Sequence, residues 1–149
     1  MVRSPHSAAE WQARLSDLSL ACIGAEAGEA AALLHEARRL LAAAPAGWAQ
    51  VFAGLPPREA FDALLAAGGE AGAALALVEG RGSYMISYGP GGQHLATVVF
   101  EGRSEEMSAP GACLALAVLG AMAASIAGAG LGAAGQVAER ACAASPRLN

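Results

Sequence analysis

The stretch Ala112–Ala127, ACLALAVLGAMAASIA, decides how this chain is read. No charged residue lies between Glu106 and Glu139. An uncharged apolar run of about 18 residues or more is long enough to cross a bilayer. Gly120, Ala124, Gly128 and Gly132 add a small-xxx-small ladder of the kind that packs helices in lipid. The run suits a helix buried on every side of a folded domain equally well. Magnitude favours the buried helix. Bulky apolar residues favour insertion by only about 0.3–0.6 kcal/mol each, and here they are limited to Leu114, Leu116, Val118, Leu119, Met122, Ile126 and Leu131. No aromatic belt or basic cluster flanks the run. A core helix is expected over 110–128, with Pro110 in its first turn. Membrane insertion through 112–134 is the alternative.

Upstream, the hydrophobic period is strand-like. AALALVE (73–79), SYMISY (83–88) and HLATVVFE (94–101) are short β-rich runs. Gly80-Arg81-Gly82 and Gly89-Pro90-Gly91-Gly92 separate them as hairpin-type turns. RSEEMSA (103–109) adds a fourth strand or a loop. The expected sheet is thus a three- to four-stranded antiparallel meander over 73–108, which needs a helical layer on one face. The apolar helix supplies that layer.

Residues 1–69 read as helices. Trp11, Leu15, Leu18 and Cys22 share one face of a helix over 7–22, with Ser7 as its N-cap. A second helix over 25–44 carries Leu34, Ala37 and Leu41 on its apolar stripe and ends at Pro45. Glu26 and Glu29 near its start and Arg38-Arg39 near its end complement the macrodipole. Trp48, Val51 and Phe52 form a short helix or turn, and REAFDALLAA (58–67) a further helix stopped by Gly68-Gly69. The whole is an α+β fold in one domain: N-terminal helices, a meander, a closing helix, and a Gly/Ala-rich tail over 129–149.

Composition narrows the chemistry. The chain has 149 residues and a net charge of −4, and all nine of its basic residues are arginine. No basic stripe is present, so nucleic acid is not an expected partner. Cys22, Cys113 and Cys142 match no C-x-x-C or zinc spacing and are read as reduced thiols of a cytoplasmic protein. The N-terminus MVRSPHSAAEW lacks the apolar region of a signal peptide.

Gly130-x-Gly132-x-x-Gly135 matches a dinucleotide fingerprint but has an apolar helix before it and no room for a second strand after it. No cofactor is expected. His6, His35 and His94 have no metal-pair spacing, so no metal is expected. No nucleophile motif appears, and the adjacent Glu105 and Glu106 point to opposite faces of an extended segment. The chain is read as non-enzymatic. Tyr84 and Tyr88 share a face of their strand, with His94 opposite across the turn, as a candidate interaction surface. Arg38, Arg39, Glu105 and Glu106 are further candidates.

The V-x-F of Val98–Phe100, the polar loop from Gly102 to Met107, and Ala109-Pro110 followed by Ala112, Leu114, Ala115 and Leu119 resemble the small phage α-β-β-β-α sandwich domains, over about Pro57 to Ala124. That resemblance implies a phage or prophage accessory protein acting in the cytoplasm. Double-stranded-RNA-binding domains share the element order but use lysines at the start of the closing helix, and this chain has none. The expected function is binding of a protein partner, such as inhibition of a host defence or regulatory complex. A membrane-inserted protein and a small-molecule binder using the Tyr84–Tyr88 face are the alternatives. The apolar face of the first two helices suits a homo-oligomer seam as well as a core.

Overall fold

The structure, a computed structural model, describes residues 7–129. It is an α+β fold of six helices and a three-stranded antiparallel sheet. The Gly130–Gly135 motif, His6, Cys142 and the tail after Ala129 lie outside the described residues.

Helix α1 (Ala8–Gly24) starts as the sequence leads one to expect. The Ser7 hydroxyl accepts from the Glu10 amide at 3.1 Å, and the Glu10 carboxylate accepts from the Ser7 amide at 3.0 Å, a reciprocal capping box. Its stripe of Trp11, Leu15, Leu18 and Cys22 is buried. The second helix is shorter than its sequence pattern suggests. A 3₁₀ turn, Ala27–Glu29, leads into α2 (Ala30–Ala42). The Trp11 indole N–H donates to the Leu40 carbonyl at 2.7 Å and pins α1 to α2. Helix α3 (Ala46–Ala49) carries Trp48, whose ring lies between 5.6 and 6.2 Å from those of Trp11, Phe52 and Phe100. Helix α4 (Arg58–Ala66) buries Phe61 and Leu65.

Residues 73–79 correct the sequence reading. AALALVE is not a strand; it forms most of helix α5 (Glu70–Val78). Alanine and leucine are strong helix formers, and Ala73, Ala74, Leu77 and Val78 line one buried helical face. Gly80, at φ 81°, occupies the left-handed position just past the helix end. The Gly80–Gly82 segment is therefore a helix-to-strand connection rather than a hairpin. Arg81 anchors it by donating to the carbonyls of Val51 and Ala76 at 3.1 and 2.9 Å.

The sheet consists of β1 (Ser83–Tyr88), β2 (His94–Val99) and β3 (Met107–Gly111), in that order. The GPGG hairpin holds, with Gly91 and Gly92 at positive φ. Pro110 is a second correction: it lies in edge strand β3, opposite Leu95, and not in the first turn of a helix. Proline is tolerated there because its nitrogen faces away from the ladder.

Helix α6 (Leu114–Ala129) closes the fold. It packs on β2 and β3 on one side and on α1, α5 and α2 on the others, and barely reaches β1. Buried Ser125 bonds the Ser104 hydroxyl at 2.6 Å and donates to the Glu105 carbonyl at 2.9 Å, which ties the β2–β3 loop to the helix. Among the described residues, no helix is long and apolar enough to cross a membrane.

Two glycines set the approach distances. A Cβ on Gly120 would meet Cys22 and Ala109 at 3.3 and 3.4 Å, so α1 and β3 both press against this point of α6. A Cβ on Gly111 would lie 2.4 Å from the Ala117 nitrogen. Gly111→Ala should therefore lower stability by about 2 kcal/mol or more. Gly128→Ala, with nothing within 4 Å, should be neutral or stabilising by up to about 1 kcal/mol. Thermal unfolding of the two variants checks the contrast.

Candidate functional site

Of the sequence-derived candidates, the structure sets three on one face of the sheet and brings two of them into contact. Tyr88 and His94 are direct partners across the hairpin, with ring centroids 4.8 Å apart in an edge-to-face arrangement. Tyr84 lies on the same face of β1, paired with Val98. Its hydroxyl donates to the Glu79 carboxylate at 3.2 Å. Tyr88 is 67% exposed and Tyr84 38% exposed.

The other four candidates lie elsewhere. Arg38, on α2, donates twice to the Pro56 carbonyl, at 2.8 and 3.1 Å, and so braces the segment leading into α4. Arg39 pairs with Glu36 one turn away. Glu105 and Glu106 sit in the β2–β3 loop, at the end of β2 away from the hairpin turn, about 20 Å along a six-residue strand.

Residues that sequence reasoning missed complete the surface. Ladder geometry identifies them. The Gly89 amide donates to the Gln93 carbonyl, which makes 89 and 93 a hydrogen-bonded pair. Pairing alternates along an antiparallel ladder, so Ser83, Met85 and Ser87 bond to β2. Tyr84, Ile86 and Tyr88 then point their N–H and C=O groups outward, at the open edge of the sheet. Five of the six β1 residues are exposed, and none is charged or a proline. On the face of the sheet opposite α6, Met85 and Leu95 are 64% and 42% exposed. The signal for this edge was available in SYMISY itself, which lacks the lysine, proline or bulge that blunts most edge strands.

Two grooves lie elsewhere on the molecule. One of about 500 Å³ runs between α1 and α6, lined by Gln12, Ser19, Leu20 and Met107 among others. Two of its polar side chains already serve the fold: Gln12 donates to the Ile126 carbonyl and Ser19 to that of Gly120. The other, of about 820 Å³, separates α2 from α4 and holds His35 Nδ1 3.3 Å from Asp62 Oδ1. Its lining includes no hydroxyl or thiol for His35 to activate. Burial pushes the Cys22 thiol up to about 12, with Cys113 adding to the effect, so this thiol stays protonated and inert at neutral pH. Among the described residues no group of three or more His, Cys, Asp or Glu could hold a metal ion.

Comparison of the chain with protein-family models, with curated proteins and with solved structures finds no match.

The Tyr84–Glu79 bond gives this surface a measurable pH signature. The hydrogen bond to Glu79, then desolvation and the carboxylate's charge, raise the Tyr84 phenol above its ordinary value of 10.0. A raised folded value means that the associated stabilisation is fully present below about pH 10 and is lost as pH rises through the folded value. In Glu79→Gln the Tyr84 midpoint should fall. The measurement is the phenolate absorbance titration, with Tyr84 assigned by subtracting the Tyr84→Phe curve.

Proposed function

We propose that this protein is a non-enzymatic interaction module that binds a protein partner by strand addition at β1. The observation that carries this reading is the uncharged, unblunted edge at Ser83–Tyr88, flanked by exposed Tyr84 and Tyr88. Strand addition draws affinity from main-chain hydrogen bonds and selectivity from side chains alternating on either face. Tyrosines supply large, rigid contact area of the kind that dominates binding hot spots. The two tyrosines and His94 are joined on one face, with Met85 and Leu95 on the other, so an incoming strand would meet apolar side chains on both sides.

Kinship with the small phage sandwich domains, and with it a cytoplasmic accessory role, is proposed on the α-β-β-β-α order from α5 to α6 alone, since Ala109-Pro110 lies in β3 and not at the start of the closing helix.

Ile86→Pro tests the reading. The Ile86 amide points away from β2, so proline there leaves the β1–β2 ladder intact but removes a donor from the open edge. Circular dichroism should stay native while retention of the bound partner from lysate falls about tenfold or more. Met85→Pro removes a ladder bond and should unfold the hairpin instead. Undiminished retention by Ile86→Pro, or neither a captured protein nor self-association at up to about 100 µM, contradicts the proposal.

A further inference from the structure

We infer that the strand accepted by β1 is β1 of a second copy of this chain, giving a two-fold dimer with one continuous sheet, β3-β2-β1-β1-β2-β3. This rests on strand addition at β1 and names its partner.

Three observations converge. The first is geometric. Outward-facing groups occur at 84, 86 and 88, symmetrically about Ile86. A two-fold axis through Ile86 opposes Tyr84 to the second copy's Tyr88, and Ile86 to its own counterpart. All the outward N–H and C=O groups of the strand are then satisfied. Sliding the copies by two residues leaves one of those positions without a partner. The second observation concerns side chains. In this register tyrosine meets tyrosine and isoleucine meets isoleucine on one face, and Met85 meets Ser87 on the other. Aromatic and β-branched cross-strand pairs stabilise a sheet, whereas like charges directly opposite destabilise it. No charge occurs between Ser83 and Tyr88, although the chain as a whole carries −4. Within the paired strands no charge is set opposite another, and the Glu79 carboxylate, which accepts from the Tyr84 hydroxyl, lies outside them.

The third observation is the contrast between the two edges. Strand β3 is defended: Pro110 offers no donor on its open side, and α1 packs beside it. Strand β1 has neither device. One edge of the same sheet is closed to addition and the other is open. An isologous contact through one such edge closes at two copies, because each copy uses the one edge left open among the described residues.

Sedimentation velocity on the full chain at about 100 µM should give twice the chain mass, with dissociation at lower concentration, since edge pairing forms an interface at the small end of the range. Ile86→Lys sets two like charges face to face on the axis and should give a monomer. If that variant fails to fold, Tyr84→Lys/Tyr88→Lys places charge on two exposed side chains and should also give a monomer. Register is read by mild oxidation in a Cys113→Ser/Cys142→Ser background. Ile86→Cys should form a dimer-linking disulfide, since paired Cα atoms lie about 5.5 Å apart. Met85→Cys, which faces Ser87 of the other copy, should not. A wild-type chain that stays monomeric overturns the inference, as does a dimer that survives both lysine variants. A monomer that still captures a different protein in an Ile86→Pro-sensitive way overturns the second copy alone and leaves strand addition standing. A monomer whose capture ignores that substitution overturns both.

Discussion

The structure depends on the burial of α6 on every side. A helix with no polar face has nowhere stable to sit except inside, and the chain must wrap it. Sheet strands β2 and β3 cover one flank, with α1, α5 and α2 on the others. Alanine and glycine make this close wrapping geometrically feasible. At Gly120 the helix is near enough to Cys22 and Ala109 that a single added carbon would be in tight contact with both. Each alanine gives up little apolar area, so the helix gains its hold from proximity and from the number of neighbours rather than from bulk. The few polar groups on it are consumed: Ser125 fixes the β2–β3 loop, and the backbone carbonyls of Gly120 and Ile126 accept from Ser19 and Gln12 on α1.

That arrangement has a consequence for the sheet. Since α6 is centred on β2 and β3, β1 is left at the margin, joined to the core chiefly through Ile86 and its ladder with β2. The chain holds this margin firmly at its root. Arg81 grips carbonyls at the end of α5 and in the segment after α3, and Tyr84 reaches back to Glu79. The strand is thus rigidly presented and openly exposed, a combination that suits binding better than folding alone. Two other arginines serve as braces: Arg38 on the Pro56 carbonyl, and Arg103 on the Gly47 carbonyl above the Trp48 ring.

Much of the fold was legible from periodicity and punctuation. The stripe of α1, the Ser7 cap, the stop at Pro45 and the GPGG turn follow from local rules that tertiary packing did not override. AALALVE satisfies either period, as short apolar runs do, and helix propensity with the glycine after Glu79 decides for the helix. Pro110 suits a helix start and an edge strand equally, and only the sheet order decides between them. The site was half legible. Tyr84, Tyr88 and His94 share a face by strand alternation and turn length, which sequence provides. Which edge is open depends on where α6 and α1 lie, and that is a property of the packed molecule.

The most direct test is amide hydrogen exchange along β1 as a function of protein concentration. Ser83, Met85 and Ser87 belong to the ladder with β2 and should be protected at every concentration. Tyr84, Ile86 and Tyr88 should exchange rapidly in dilute protein and become protected as concentration rises through about 100 µM. Protection of all six residues independent of concentration would mean that the edge is already covered within one chain, and would contradict the account. Rapid exchange of Tyr84, Ile86 and Tyr88 at every concentration would contradict the self-pairing of β1.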